Sequence, residues 1–149
     1  MTNSNEIIAR VAELASSGVS RDELLCGAVR VLKEEFSYYN WVGVYLLDGD
    51  FLSPHNYIGK PTEHIRIQVG VGVCGSAVKD RENKIVDDVT RQENYLACSL
   101  ETRSEIVVLI RRGDSILGQI DIDSDRANAF GPEDEVLLAG VAEILAARL

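Results

Sequence analysis

Apolar residues near the start of the chain recur every three to four positions. Ile7, Ile8, Val11 and Leu14 predict a short amphipathic helix over residues 6–15. Ser20 followed by Glu23 has the form of a capping box. It opens a second helix whose buried face is Leu24, Leu25, Ala28, Val31, Leu32 and Phe36. The pattern then shortens. YNWVGVYLL is β-branched and aromatic, and Asp48-Gly49-Asp50 turns it into FLSPHNYIG as a hairpin. A third strand is predicted over residues 65–69, followed by a short helix begun by GVGVCGSA. A brief strand over residues 84–86 and an irregular polar segment over 87–104 come next. EIVVLIRR and SILGQIDID are two strong strands. Phe130-Gly131-Pro132 starts a last helix with proline at its first position, presenting Val136, Leu137, Val141, Ile144 and Leu145 on one side. Helices at both ends of an antiparallel sheet make an α+β domain.

The final hairpin has a register that its own side chains dictate. Ile106, Val108 and Ile110 share one face of their strand, as Ile116, Gly118, Ile120 and Ile122 do of theirs. If both isoleucine faces cover one core, Ile106 stands opposite Ile122 and Val108 opposite Ile120, with Gly113–Ser115 as a three-residue loop. A slip of one residue would turn every core side chain outward. This register sets Glu105 opposite Asp123 and Val107 opposite Asp121, gathering three acids on the other face. Like charges placed so need a bound cation, a shared proton or solvent. Val107, Leu109 and Leu117 suggest partial cover for that face. Trp41 and Tyr45, which share a strand face with Gly43, could wall the same hollow. Such a floor suits an ammonium group or the protonation of a bound oxygen, and crowding should raise the pKa of at least one carboxyl.

Composition narrows the choice of partners. The 149 residues suit one domain, 1–149, with helices over 1–37, sheet and loops over 38–128 and a closing helix over 131–149. Such a chain buries roughly two thirds of its unfolded surface and needs no metal or disulfide to hold a core. With 24 acids against 15 bases and no basic block, nucleic acid and anionic membranes are poor partners. The opening MTNSNEII carries no export pattern and no apolar run is long enough to span a bilayer, which predicts a cytoplasmic protein. Two histidines and no CxxC pair argue against a metal centre, and no cofactor is expected.

The three cysteines differ in setting. Cys26 reads as buried packing within the second helix. Cys74, flanked by glycine at a helix start, should have a lowered thiol pKa, which makes it the nucleophile expected from local electrostatics. Cys98, in NYLACSLETRSE, lies seven residues before Glu105 in a segment that could overhang the acids.

NWVGVYLL, GKP followed by RI, GVGVCGSA, IVDDV, YLACS, SEIV and GQIDIDSD before the F-x-x-E-D helix start occur in order and together resemble the free methionine-R-sulfoxide reductases. The resemblance runs from about Trp41 to the C-terminus. It implies a GAF fold: a central antiparallel six-stranded sheet, terminal helices on one face and a ligand pocket on the other. It also implies thiol-dependent reduction of free methionine-R-sulfoxide, with Cys98 as nucleophile and Cys74 as a second redox cysteine. Glu105, Asp121 and Asp123 correspond to substrate-binding acids, Glu105 or Asp123 to the proton donor, Trp41 to the residue packed on the substrate methyl, and Tyr45 to the pocket lining. The implied cycle passes through a sulfenic acid and a disulfide, reduced by thioredoxin or another external thiol. Family members commonly carry a resolving cysteine ten positions before the counterpart of Cys74. His64 holds that place here, leaving Cys74 as the best substitute, with Cys26 or a direct external reductant behind it. Apolar faces around Leu14 and Leu145 allow a homodimer through the terminal helices. The alternative within the same fold is a non-catalytic sensor that binds a small molecule and acts through a partner.

Overall fold

The computed structural model describes residues 3–91 and 101–149. Helix α1 (Ser4–Ser16) is capped by Asn3, whose side chain accepts from the Glu6 amide at 2.9 Å. Helix α2 (Arg21–Glu35) opens with the expected box: the Glu23 amide donates to Ser20 Oγ at 3.1 Å and that hydroxyl donates to the Glu23 carboxylate at 3.2 Å. Six strands follow, β1 (Trp41–Asp48), β2 (Phe51–Ile58), β3 (Ile67–Gln68), β4 (Lys84–Val86), β5 (Ser104–Arg112) and β6 (Ser115–Ser124). Helix α3 (Gly72–Asp80) lies between β3 and β4, and α4 (Pro132–Ala146) closes the fold. The strands form one sheet in the order β3-β2-β1-β6-β5-β4, antiparallel at every pairing.

The sheet separates two apolar clusters. On one face Val42, Val44, Ile106, Val108, Ile110, Ile120 and Ile122 pack against α1, α2 and α4. On the other, Trp41, Tyr45, Leu52, Val107 and Leu109 pack against Val73, Cys74, Ala77 and Val78 of α3. The alternation of each strand is therefore read by a different partner on each side.

The β5–β6 register is the one dictated by the isoleucines: Ile106 faces Ile122, Val108 faces Ile120, Glu105 faces Asp123 and Val107 faces Asp121. The loop differs from expectation. Arg112 pairs with Ser115, so the turn has two residues, Gly113 and Asp114, with Gly113 at φ +57°. A bulge opposite the Ile110–Arg111 step takes up Leu117 and restores the register. A tight turn and a bulge together do what a three-residue loop would have done.

Helix α4 faces inward along a different line from the one expected. Leu137, Leu138, Val141, Ala142 and Leu145 are buried, Ile144 is half-buried and Val136 is 66 % exposed. The helix is apolar on most of its circumference, so periodicity alone does not choose its core side. Its start is fixed by Asp134, which accepts from Tyr39 Oη at 2.6 Å, Tyr38 Oη at 2.9 Å and the Gly131 amide at 2.8 Å. Leu137→Ala is expected to cost about 2–5 kcal/mol of stability. Val136→Ala should cost no more than about 0.5 kcal/mol. Urea unfolding of the two variants checks which side of α4 meets the sheet.

Candidate functional site

Strand β6 sits between β1 and β5, and its outward side chains gather the site. Trp41 pairs with Asp123, Gly43 with Asp121 and Tyr45 with Gln119 on one side; Glu105 pairs with Asp123 on the other. The three acids are buried, with Glu105 3 %, Asp121 0 % and Asp123 2 % exposed. They do not form a solvated acidic face. Helix α3 covers them and brings Cys74 Sγ to 3.2 Å from Asp121 Oδ2 and 3.8 Å from Glu105 Oε2. Gln119, also fully buried, donates through Nε2 to the Cys74 carbonyl at 3.3 Å and so fastens this helix turn to β6.

Burial pushes the Asp121 carboxyl above its ordinary range, while hydrogen bonds with Glu105 and Cys74 and the nearby His64 pull the other way. A hydrogen bond between two carboxyls requires that the pair hold a proton. One carboxyl of this face is raised, as expected, but burial rather than like-charge crowding raises it.

Cys74 overturns its expectation. It is the third residue of α3, but burial drives its thiol pKa well upward, and the charges of Asp121 and Glu105 add to the effect. A short helix's partial positive charge is outweighed once a thiol is enclosed beside carboxylates. Cys26 overturns its expectation too: it is exposed in α2, on the helical side of the sheet. Cys98 lies outside the described residues.

The aromatic wall is built by close packing. Trp41 and Tyr45 have ring centroids 6.2 Å apart, and Trp41 stacks on Tyr57 at 5.1 Å. Tyr57 was not singled out from the sequence. A Cβ at Gly43 would lie 2.5 Å from the Trp41 ring and 3.0 Å from Tyr57 Cβ, so only glycine leaves the indole its place. A glycine between two aromatic residues of one strand face, W-V-G-V-Y, was the available signal. Trp41 Nε1 donates to the Lys60 carbonyl at 3.1 Å.

Two cavities flank this wall. One of about 10 Å³ is lined by Tyr45, His64, Ile67, Cys74, Glu105 and Asp121, which places His64 on the rim of the acid site. The other, about 150 Å³, is lined by Trp41, Lys60, Glu101, Thr102, Asp123 and their neighbours. Among the described residues, no helix is long and apolar enough to cross a membrane.

The Asp121 shift has a consequence for stability. Because its pKa is raised on folding, the native state binds more protons than the unfolded chain, and stability falls as pH rises from the ordinary aspartate range through the raised pKa. Asp121→Asn is therefore expected to unfold at higher urea than the parent near neutral pH. The difference should shrink as pH falls below the ordinary aspartate pKa of about 3.9. Urea midpoints measured across pH check this.

Residues 20–149 match the GAF domain family. Over 126 residues, 82 % of this chain and 76 % of the relative, the sequence is 36 % identical to the free methionine-R-sulfoxide reductase of Escherichia coli. The structure of a type II free methionine-R-sulfoxide reductase from Thermoplasma acidophilum superposes with a TM-score of 0.82 at 37 % identity, covering 93 % of this chain and 94 % of that one. The reductase from Neisseria meningitidis, solved in complex with its substrate, superposes with a TM-score of 0.91 at 32 % identity over 97 % and 87 % of the two chains. With these relatives and this fold, the chain belongs to the free methionine-R-sulfoxide reductase family of GAF domains.

Proposed function

We propose that the protein reduces free methionine-R-sulfoxide to methionine with thiols as the electron source. The observation that carries the reading is the enclosed set of Glu105, Asp121 and Asp123 beside Trp41 and Tyr45. A free amino acid carries an α-ammonium group, and a peptide-bound methionine has an uncharged amide in its place. Buried carboxylates favour the former, because inside the fold no solvent screens their attraction for a cation. Trp41 offers an apolar, polarisable surface to the substrate methyl group.

In this reading the Cys98 thiolate attacks the sulfoxide sulfur. Glu105 or Asp123 protonates the sulfoxide oxygen, which passes to the Cys98 sulfur as methionine leaves, so that Cys98 becomes a sulfenic acid. Support for Cys98 is twofold. Cys74, enclosed by acids and protonated until a base takes its proton, is a poor first nucleophile. The other support is the family pattern: YLACS, which carries Cys98, is among the segments that resemble the reductases.

Resolution then falls to Cys74, in the absence of a cysteine where His64 stands. Asp121, 3.2 Å from Cys74 Sγ, would take the thiol proton as the sulfur attacks Cys98 and pass it to the departing hydroxide, so that water leaves and a disulfide forms. Cys26 is on the far side of the sheet and does not compete for this role. Thioredoxin or another dithiol would restore both thiols. This cycle suits a compartment that keeps thiols reduced, such as the cytoplasm.

Purified protein with dithiothreitol is expected to consume free methionine-R-sulfoxide and leave the S-epimer. Cys98→Ser should abolish turnover, and Cys74→Ser should spare the first turnover while slowing those that follow. A stereospecific assay checks all three. Near-parental turnover in Cys98→Ser would refute the mechanism, and tight binding of the sulfoxide without turnover by the parent would favour a sensor.

A further inference from the structure

Cys74, Glu105 and Asp121 come from α3, β5 and β6, and each places one donor atom within 4.8 Å of the other two. We infer that these three side chains form a binding site for one thiophilic divalent cation of the Zn²⁺ class, in the small cavity they share with Tyr45 and His64. Two independent features point to a ligand there. The first is spacing. Zinc bonds of about 2.3 Å to sulfur and about 2.1 Å to oxygen, at tetrahedral angles, put the two donors about 3.6 Å apart. The Cys74 sulfur lies 3.2 and 3.8 Å from its two carboxylate oxygens, on either side of that value. The second is an orphaned acceptor. Asp121 is fully buried and lines the cavity, yet its Oδ1 has no hydrogen-bond partner among the described residues. A buried carboxylate oxygen left so is costly, and a cation bound by both oxygens of Asp121 would satisfy it.

Size and chemistry agree with this occupant. The cavity, about 10 Å³, is on the scale of a single water-sized body. Two carboxylates alone would suit a hard cation, whereas a sulfur donor selects for Zn²⁺ and its softer neighbours. On binding, the Cys74 thiol releases its proton to solvent and a metal–sulfur bond replaces the S–H bond. Three protein residues leave a coordination position open, as in catalytic rather than structural zinc sites. His64 lies on the cavity rim but outside the donor set. A consequence, which rests on the reductase reading, is that Zn²⁺ would compete with the substrate ammonium for the same carboxylates and would hold Cys74 away from resolution.

Cobalt(II) serves as the spectroscopic probe and needs no turnover. Reduced, metal-free protein titrated with Co²⁺ should bind one equivalent, with a thiolate-to-cobalt charge-transfer band that added Zn²⁺ abolishes. Cys74→Ser should lose the band, and Asp121→Asn and Glu105→Gln should each weaken binding about tenfold or more. Cys26→Ser and Cys98→Ser should retain it. Circular dichroism establishes folding for each variant, and if Cys74→Ser does not fold, the two carboxamide variants decide the matter. No charge-transfer band at a large excess of cobalt overturns the site. So does a band that survives Cys74→Ser, or undiminished affinity in both carboxamide variants. A protein that binds cobalt as described but turns over no sulfoxide would refute the reductase reading and leave the cation site standing; the reverse pattern would do the opposite.

Discussion

Everything at the site depends on the pairing of β6 between β1 and β5. The strand offers Ile120 and Ile122 to the helices and Gln119, Asp121 and Asp123 to the opposite face. Burying one isoleucine contributes about 1.5–3 kcal/mol. The isoleucines of β5 and β6 together outweigh alternatives in which the acids face solvent, since any slip by one residue exposes the whole apolar row. The acids are carried into the interior by the demands of the other side of the sheet. Trp41 and Tyr45 reach the same hollow because β1 pairs with β6 in phase, Trp41 with Asp123 and Tyr45 with Gln119.

The result is a site poorly suited to stability and well suited to chemistry. Three enclosed carboxyls, a thiol pushed toward its protonated form and an Asp121 oxygen with no partner among the described residues are arrangements that a purely structural core avoids. Such features are tolerated where the surrounding elements over-determine them. Here α3 is fastened by the Gln119–Cys74 hydrogen bond and packed through Val73, Ala77 and Val78, and the indole is held by Tyr57 and the space left at Gly43. These supports hold the three acids together beside the aromatic wall, an arrangement suited to recognising a small cation.

Much of this was legible in the chain itself. The register was readable because alternation on two strands had a single solution that buried both isoleucine rows. The start of α2 was readable because Ser20 and Glu23 satisfy each other locally. Other features depended on what lies across from a residue, which a sequence does not display. Cys74 looks activated from its helix position, and the carboxyls that reverse its pKa come from strands 31 and 47 residues away. Cys26 follows an apolar neighbour yet points outward. Val136 and Leu138 are equally apolar, and only docking of α4 on the sheet separates them. The loop length was misjudged because a bulge at Leu117 and a shorter turn produce the same register.

The central claim is that the enclosed carboxylates receive the substrate's α-ammonium group beside Trp41. The chain has a single tryptophan, so its fluorescence reports this wall directly. In Cys98→Ser, which blocks turnover, free methionine-R-sulfoxide should quench or shift Trp41 emission saturably. Its N-acetyl derivative, which lacks the charge, should bind at least about thirtyfold more weakly, equivalent to about 2 kcal/mol for a lost buried charge partner. Equal affinity for the two compounds would contradict the claim.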